Sequence, residues 1–313
     1  MSTIEIPPYM KLLPAEAQAQ LARRTFPARG RAEGFKSGSH RSPFLGSSTE
    51  FAEHREYSPG DDPRDLDWRV FAKQDRYYVK LYVEETNLRA TILLDSSASM
   101  RFQGTAASAL DGVKLSKFNY AKYLAAMLSY LFVRQGDAAG LIQFDSEIRA
   151  QLPASGSSTH LRRMLQLLDA AVPESASDAP SALHAAAERI PRRGIVILLS
   201  DLLVSDTGEL VQALYHLRHR KHEVIVFQIL TEEELTFPYG DAVQFRDLEE
   251  TVDDIDLDPA SIRAEYLRQF TNFLNDLEQK CRSIPVDYVR LNTTDSYVTA
   301  LSDYLGQRNG GRG

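Results

Sequence analysis

The sequence predicts an α/β fold: a doubly wound, mostly parallel sheet flanked by helices, preceded by an N-terminal extension that contains short β-strands. Short apolar segments rich in β-branched residues alternate with longer segments in which apolar residues recur about every 3.6 positions. Residues 195–199 are all apolar, which is typical of a strand buried on both faces of a parallel sheet. Polar residues directly follow two of the apolar runs, at strand ends, where sites form in such sheets.

The helices and strands follow from local patterns. Residues 15–24, after Pro14, are helix-prone, and residues 77–84 alternate apolar and polar side chains as a half-buried strand does. Residues 30–63 are rich in Gly, Ser, Pro and mixed charge, which predicts loops with short extended pieces. The remaining predicted elements are strand 90–94, helix 115–132, strands 138–144 and 148–152 with a hairpin turn at 145–147, helices 161–171 and 182–190, strand 195–199, helix 208–219, strand 224–230, helix 262–281, strand 286–291 and helix 297–305.

We expect residues 1–86 to form the N-terminal extension, residues 87–306 the α/β domain and residues 307–313 a flexible tail. Within the extension, residues 53–75 alternate acidic side chains with Arg and Lys around Trp68, the only tryptophan. Three interpretations of this segment stay open: a solvated charged face, a network of Arg–carboxylate pairs that locks it onto the main domain, or a binding surface. Cys281 lies on the apolar stripe of a predicted helix, so we expect a core thiol.

The composition argues against several classes of protein. Of the 313 residues, 43% are hydrophobic and 25% are charged, which is ordinary for a globular protein. The formal net charge of −7 argues against binding to nucleic acid. No apolar stretch approaches the roughly 18 to 20 residues that a membrane helix needs, so we expect no direct membrane insertion. Because the chain has one cysteine and no signal-peptide pattern at its start, we expect a cytoplasmic location.

The most informative motif is the Asp-Ser-Ser-Ala-Ser-Met segment after the predicted strand at 90–94. Alternate residues of a tight loop can turn the oxygens of Asp95, Ser97 and Ser99 toward one point, and oxygen clusters without His or Cys suit hard cations such as Mg²⁺. Asp201 follows the buried run at 195–199, and Thr159 lies in a hydroxyl-rich loop before a helix, so both are expected to approach this point. The alternative is that the serines cap the next segment and that Asp201 stands in a turn.

A set of five residues resembles the metal-ion-dependent adhesion site of von Willebrand factor A domains: Asp95, Ser97, Ser99, Thr159 and Asp201. The resemblance implies a von Willebrand factor A-like, Rossmann-type fold and a bound Mg²⁺ ion, or another divalent cation such as Mn²⁺ or Ca²⁺. It further implies that the three hydroxyl groups bind the cation and that the two carboxylates act directly or through water. One position of the cation would stay open for a carboxylate of a partner. Leu202 departs from the family pattern, because these domains often have Gly there.

A second resemblance lies upstream of this motif. Residues 38–42 (GSHRS), 50–69 (EFAEHREYSPGDDPRDLDWR) and 78–80 (YVK) are similar to the signature of the bacterial family called domain of unknown function 58, which also precedes an Asp-x-Ser-x-Ser-Met segment. Such proteins are commonly encoded with MoxR-type AAA+ ATPases and are thought to act with them in protein maturation or complex assembly. No catalytic activity is established for the family. The resemblance therefore implies a non-enzymatic, metal-dependent interaction module that serves a MoxR-type AAA+ ATPase and an unknown client protein supplying a carboxylate.

The competing interpretation is a metal-dependent, phosphatase-like hydrolase that uses Asp95 at the strand end. Such enzymes resemble Asp-x-Asp, however, and Ser97 stands where the second carboxylate should be. A serine hydrolase would need a base beside Ser97 or Ser99, and His160 and His184 are candidates. The chain has no Gly-x4-Gly-Lys-Ser/Thr loop, so it is not itself a P-loop ATPase.

Overall fold

The computed structural model describes residues 7–27, 41–42, 50–57, 66–74, 76–85, 88–110, 112–174, 177–240, 243–245, 255–257 and 259–310. The chain divides into two compact units. The larger unit consists of residues 1–27 and 89–313, and the smaller unit consists of residues 28–88.

The strands and helices alternate along the larger unit, as the sequence predicts. The strands are β1 (Arg41–Ser42), β2 (Glu50–Glu56), β3 (Tyr78–Glu85), β4 (Arg89–Asp95), β5 (Ala109–Leu110), β6 (Val113–Lys114), β7 (Ala138–Phe144), β8 (Ile148–Ser155), β9 (Gly194–Ser200), β10 (His222–Leu230), β11 (Val243–Phe245), β12 (Ile255–Leu257) and β13 (Val286–Asn292). The α-helices are α1 (Ala15–Leu21), α2 (Trp68–Gln74), α3 (Lys117–Arg134), α4 (Ser158–Ala170), α5 (Ala179–Arg189), α6 (Thr207–His219), α7 (Glu232–Thr236), α8 (Pro259–Ser283) and α9 (Tyr297–Gly310). None of the described helices is long and apolar enough to cross a membrane.

The larger unit is built on a six-stranded sheet in the order β13-β10-β9-β4-β7-β8. β8 runs antiparallel to β7, whereas the other five strands are parallel to one another. In β4, β7 and β9 every residue after the first is buried, as in strands that are covered on both faces. Leu94 stands beside Leu199 in the register, so β4 and β9 end at neighbouring points of one sheet edge. The predicted α/β fold with a mostly parallel sheet is confirmed.

Helices cover both faces of this sheet. On one face, Leu93 and Val196 belong to an apolar core that includes residues of α5, α6 and α8, and Cys281 is a buried member of that core, as predicted. Because successive strand residues point to opposite faces, Ile92 and Ile197 are buried on the other face. The helix α3 contacts β4, β7, β9 and β10 and also packs on α4 and α9. The sheet is therefore the middle layer of three.

Residues 7–27 belong to the larger unit rather than to a separate extension. Leu21 and Phe26 are buried, and the Phe26 ring centre lies 4.7 Å from that of Phe132 on α3. The expected extension at 1–86 is therefore divided. Its first part joins the α/β unit because its apolar side chains pack into that core, and only the remainder belongs to the second unit.

The C-terminal boundary also differs from the prediction. The flexible tail expected at 307–313 begins inside α9, which runs to Gly310. The guanidinium group of Arg308 is fully buried, donates to Asp287 over 2.9 Å and also pairs with Glu223. These charge-assisted contacts hold the last turn of the helix against the sheet.

The smaller unit contains a three-stranded antiparallel sheet, β1-β3-β2, and the helix α2. Asp67 is buried, and its Oδ1 accepts the backbone N–H groups of Arg69 (2.9 Å) and Val70 (3.3 Å) at the start of α2, as an N-cap does. Trp68 is 60% exposed, so within this unit it is not the buried centre of an ion-pair network. Four acidic residues of the charged segment lie outside the described residues: Asp61, Asp62, Asp65 and Asp75.

Candidate functional site

The predicted site lies at the sheet edge where the parallel strands end. Asp95 is the last residue of β4 and is 1% exposed. Its Oδ1 accepts the backbone N–H of Ser97 over 2.9 Å, and its Oδ2 accepts the hydroxyl of Ser200 over 2.5 Å. Ser200 ends the neighbouring strand β9, so the parallel register itself brings these groups together. Two strands thus hold the carboxylate in one orientation.

The loop after β4 folds tightly against the sheet edge. Both the N–H and the hydroxyl of Ser96 donate to the carbonyl oxygen of Phe144, over 2.7 Å and 2.9 Å. A 3₁₀ turn then places the hydroxyl oxygens of Ser97 and Ser99 3.1 Å apart. Adjacent ligands of an octahedral Mg²⁺ ion, each about 2.1 Å from the metal, are about 3.0 Å apart. The two hydroxyl groups share a hydrogen bond at this distance, and the same distance is that of neighbouring ligands of such an ion.

Asp201 directly follows β9 at the same edge and is also buried. Its Oδ1 accepts the N–H of Leu203 over 3.2 Å, and its backbone carbonyl accepts the side-chain amide of Gln228 over 2.8 Å. Leu202 adopts a φ of 55°, in the left-handed region that glycine enters without a steric penalty. This conformation explains why glycine suits the position. In this chain the backbone of Leu202 is strained, and its side chain is buried.

A buried lysine absent from the predicted set completes this edge. Lys117 is the first residue of α3, and its Nζ lies 2.7 Å from Asp201 Oδ2 and 2.6 Å from Glu234 Oε1. Burial lowers the pKa of Lys117, but the charges of Asp201 and Glu234 outweigh burial and raise it. A lysine in the first turn of a helix is electrostatically unfavourable with the helix dipole. That placement is the signal in the sequence that Lys117 has another partner.

The Asp95 carboxyl group is in a different electrostatic state. Burial and the nearby charge of Asp201 raise the pKa of Asp95 from 3.8 to about 7, although hydrogen bonds from Ser200 and Ser97 lower it in part. Among the described residues, no ion pair of Asp95 with Lys or Arg is found. A cation beside Asp95 would therefore offset both the burial and the repulsion. The donor set at this edge, two carboxylates and two hydroxyl groups, fits a hard divalent cation.

The structure does not bring Thr159 to this edge. β8 runs antiparallel to β7, so Ile148 stands beside Phe144 while Ser155 stands beside Ala139 at the opposite end of the sheet. Thr159 follows four residues later as the exposed second residue of α4, about 20 Å from the Asp95 edge by the length of β7. The prediction that Thr159 joins Asp95 is corrected, because the β-hairpin reverses the chain before that residue.

The segment that does reach the Asp95 edge is the connection from α4 to α5. The N–H of Glu174 donates to the carbonyl oxygen of Ser96 over 3.2 Å, and Nε of Arg101 donates to the carbonyl oxygen of Pro173 over 2.7 Å. A cleft of about 250 Å³ lies beside Ser96, and its wall includes the exposed side chain of Val172. Gln143, Asp145 and Arg149 also line the cleft, so it lies on the β7–β8 side of Ser96 and is not formed by the side chains of Asp95, Ser97 and Ser99.

Neither histidine considered as a base contacts the two serines. Nε2 of His160 bonds to the carbonyl oxygen of Ala139 over 2.8 Å, at the opposite end of the sheet. Nδ1 of His184 lies 3.0 Å from Nδ1 of His216, between α5 and α6. In the part of the chain that the structure describes, no group of three or more His, Cys, Asp or Glu side chains is arranged as a metal site. The candidate ligands at the Asp95 edge therefore combine carboxylate and hydroxyl oxygens.

The fold defines a three-layer α/β protein with a mostly parallel sheet. More specifically, the chain belongs to the family described as "Protein of unknown function DUF58", whose model matches residues 53–273. The matched range includes most of the charged signature, the Asp-x-Ser-x-Ser segment and all the parallel strands except β13.

The chain is similar along most of its length to uncharacterised mycobacterial proteins. It is 25% identical over 286 residues to Rv1480 of Mycobacterium tuberculosis and to Mb1516 of Mycobacterium bovis, covering 89% of this chain and 86% of each relative. Its fold is similar to that of BatB from Bacteroides thetaiotaomicron, with a TM-score of 0.43, 19% identity and coverage of 71% of this chain and 98% of that chain. It is also similar to the VWA domain of SpRpn10, with a TM-score of 0.41, 10% identity and coverage of 70% and 95%.

Proposed function

We propose that this protein is a non-enzymatic, metal-dependent protein-interaction module. The observation that carries the proposal is the pair of hydroxyl oxygens of Ser97 and Ser99, 3.1 Å apart in the loop that follows the buried carboxyl group of Asp95. These groups offer oxygen alone, which suits a hard cation. Neutral hydroxyl ligands leave such an ion with much of its positive charge. A carboxylate from another protein is then the natural further ligand.

The proposed cation is Mg²⁺, or another divalent cation such as Mn²⁺ or Ca²⁺. Ser97 and Ser99 would hold it through their hydroxyl oxygens, and Asp95 would act directly or through water. Asp201 would act through water, because Lys117 already occupies one of its oxygens. When bound, the ion supplies a Lewis-acidic position for a carboxylate of the partner. The protein's own residues would fix that position at the ends of the parallel strands β4 and β9.

We further propose that the partners are a MoxR-type AAA+ ATPase and a client protein that supplies the carboxylate, acting in protein maturation or complex assembly. Membership of the DUF58 family and the resemblance at residues 38–80 support this choice. We place this activity in the cytoplasm, which agrees with a chain whose single cysteine, Cys281, is a buried free thiol.

The first test measures thermal unfolding in EDTA and in excess Mg²⁺. Wild-type protein is expected to unfold at a higher temperature with Mg²⁺, because a ligand that binds only the folded state stabilises it. Asp95→Ala is expected to remove this difference, whereas Asp303→Ala, a change at an exposed carboxylate on α9, is expected to keep it. A wild-type melting curve that is the same in EDTA, Mg²⁺, Mn²⁺ and Ca²⁺ would contradict the metal site.

The second test identifies the partner. Immobilised protein is incubated with the purified MoxR-type ATPase encoded by the same organism, with Mg²⁺ or with EDTA. We expect retention in Mg²⁺, release in EDTA and no retention by Asp95→Ala. Equal retention in EDTA would show that the interaction does not use the cation.

The hydrolase interpretation has one observation in its favour, because a buried strand-end carboxyl group with a pKa of about 7 is typical of acid–base sites. Incubation with phosphate-ester and acyl-ester substrates separates the two functions. We expect no turnover above background. Metal-dependent turnover that disappears in Asp95→Asn would instead favour an enzyme.

A further inference from the structure

Lys117 places a buried positive charge at the sheet edge where β4 and β9 end. Its side chain is 1% exposed, and its ammonium group contacts two carboxylates, Asp201 at 2.7 Å and Glu234 at 2.6 Å. The ammonium group also lies 5.9 Å from the ring centre of Phe102, within the range of a cation–π contact. A charge buried to this degree is costly unless it is paired, and Lys117 is paired twice.

Both carboxylate partners are fixed by other contacts. Oε2 of Glu234 accepts the N–H and the hydroxyl of Thr231, over 2.7 Å and 3.1 Å, in the capping box that starts α7. This leaves Oε1 of Glu234 for Lys117. Asp201 likewise gives Oδ1 to the N–H of Leu203 and Oδ2 to Lys117. The lysine therefore joins the first turn of α3 to the end of β9 and to the start of α7.

The formal charges at this edge have a simple balance. Asp95, Asp201 and Glu234 contribute three negative charges when ionised, and Lys117 contributes one positive charge, which leaves −2. One divalent cation would neutralise this set. Without Lys117, this edge would carry a formal charge of −3 when all three carboxylates are ionised.

We propose that Lys117 is a built-in cation that pairs with Asp201 and Glu234 and so keeps both carboxylates from binding the exchangeable metal ion directly. Its ammonium group binds one oxygen of each of Asp201 and Glu234 and offsets one of their two negative charges, and the exchangeable divalent ion is left with Asp95, Ser97 and Ser99. Lys117 thereby lowers the affinity of the site, because its positive charge offsets part of the negative charge that attracts a divalent ion. This inference rests on the proposed function, and it explains why the ion would need a carboxylate from a partner.

The inference is tested with Lys117→Met, which keeps the aliphatic stem and removes the charge. In EDTA the variant is expected to unfold at a lower temperature than wild type, because it leaves the buried carboxylate of Asp201 and the partly buried one of Glu234 without their cation. In Mg²⁺ or Ca²⁺ its melting temperature is expected to rise more than that of wild type. Titration calorimetry with the metal alone is expected to show about tenfold tighter binding, or more, since ligand charge sets the affinity. If Lys117→Met is unfolded in EDTA and folds when the metal is added, that outcome also supports the inference.

Two further variants keep the test decisive. The double variant Lys117→Met/Glu234→Gln removes one of the two carboxylate charges that Lys117→Met leaves without a partner. It should therefore fold more readily in EDTA than Lys117→Met does, while the negative charges of Asp95 and Asp201 still favour binding of the metal. Lys280→Met is the matched control, because Lys280 also pairs with an aspartate, Asp276 at 2.8 Å, but lies on the half-exposed side of α8. The control is expected to respond to metal as wild type does.

The inference is overturned if neither Lys117 variant gains a metal response beyond that of wild type. The proposed function fails separately, if wild-type protein shows no response to metal in stability or in partner binding. A Lys117 variant that responds to metal when wild type does not would support the built-in cation and contradict the metal-dependent function.

Discussion

The hydroxyl of Ser200 donates to Oδ2 of Asp95 over 2.5 Å and also accepts the N–H of Leu202 over 2.9 Å. One buried side chain therefore links the ends of β4 and β9 and the strained turn after β9. We expect Ser200→Ala to lower the free energy of unfolding by about 1–3 kcal/mol, because a buried carboxyl oxygen and a buried N–H both lose a partner. Urea denaturation measures this change.

The matched control is Ser283→Ala, since the hydroxyl of Ser283 donates to the carbonyl oxygen of Lys280 at an exposed position. We expect its effect to stay within about 0.5 kcal/mol. Equal effects of the two substitutions would show that the Ser200–Asp95 contact contributes nothing specific.

The raised pKa of Asp95 predicts a pH-dependent stability in the absence of metal. The unfolded carboxyl group ionises near 3.8 and the folded one near 7, so the folded state holds the extra proton between these values. Its contribution to stability is complete below pH 3.8 and is lost as the pH rises through 7. We expect Asp95→Asn, which cannot ionise, to gain stability relative to wild type across this window, by about 4 kcal/mol at most. Parallel pH profiles of the two proteins in EDTA would contradict the shift.

His222, buried at the start of β10, predicts a pH dependence of the opposite sign. Burial and the nearby charge of Arg220 lower the pKa of His222 from 6.5 to about 4. Between these pH values His222 is protonated in the unfolded chain but neutral in the folded chain. The free energy of unfolding therefore falls as the pH falls from 6.5 to 4. In His222→Phe this component is absent, and wild type should lose up to about 3 kcal/mol relative to the variant over the window. Denaturant titrations at both pH values measure the difference.

The position of Thr159 predicts which hydroxyl groups matter for the cation. In our proposal Ser99 contacts the ion, whereas Thr159 lies at the other end of the sheet. Ser99→Ala is therefore expected to reduce or remove the Mg²⁺-induced rise in melting temperature, and Thr159→Ala to leave it unchanged. If Thr159→Ala lost the Mg²⁺-induced rise in melting temperature and Ser99→Ala kept it, Thr159 rather than Ser99 would be the ligand of the cation.

Gly104 predicts a steric effect at the loop before α3. A Cβ atom at this position would lie 2.1 Å from Oε2 of Glu233, whose other oxygen accepts the N–H and the hydroxyl of Thr105, each over 2.6 Å. Gly104→Ala must therefore displace a buried, hydrogen-bonded carboxylate, and we expect a loss of about 1–3 kcal/mol. Gly240→Ala is the control, because its Cβ would meet no atom within 4 Å. Equal stability of the two variants would contradict the packing around Glu233.

The elements most accurately predicted are those in which one local pattern decides the structure. The apolar run at 195–199 became β9 with one residue added at each end, and the strand predicted at 138–144 has those bounds in the structure. The 3.6-residue pattern at 115–132 became α3, shifted by two residues. In each case burial of one continuous apolar face outweighs other influences, so the sequence pattern suffices.

The error at Thr159 has a topological cause. The sequence predicts a hairpin between β7 and β8, and that hairpin is present. A hairpin returns the chain to the end of the sheet where β7 began, so Thr159, soon after β8, cannot stand beside Asp95. Residues near one another in the predicted order of loops can thus lie at opposite ends of a sheet.

The α/β fold class, the order of strands and helices, and the placement of Asp95, Ser97 and Ser99 after a buried strand follow from the amino-acid sequence alone. These features depend on residues that are close along the chain, where apolar periodicity and strand ends can be recognised. The contact of Lys117 with Asp201, 84 positions away, and the distance of Thr159 from Asp95 become visible only in the folded chain. Such contacts depend on which strands become neighbours and in which direction they run, because burial then brings distant charges into one low-dielectric space, where they must pair.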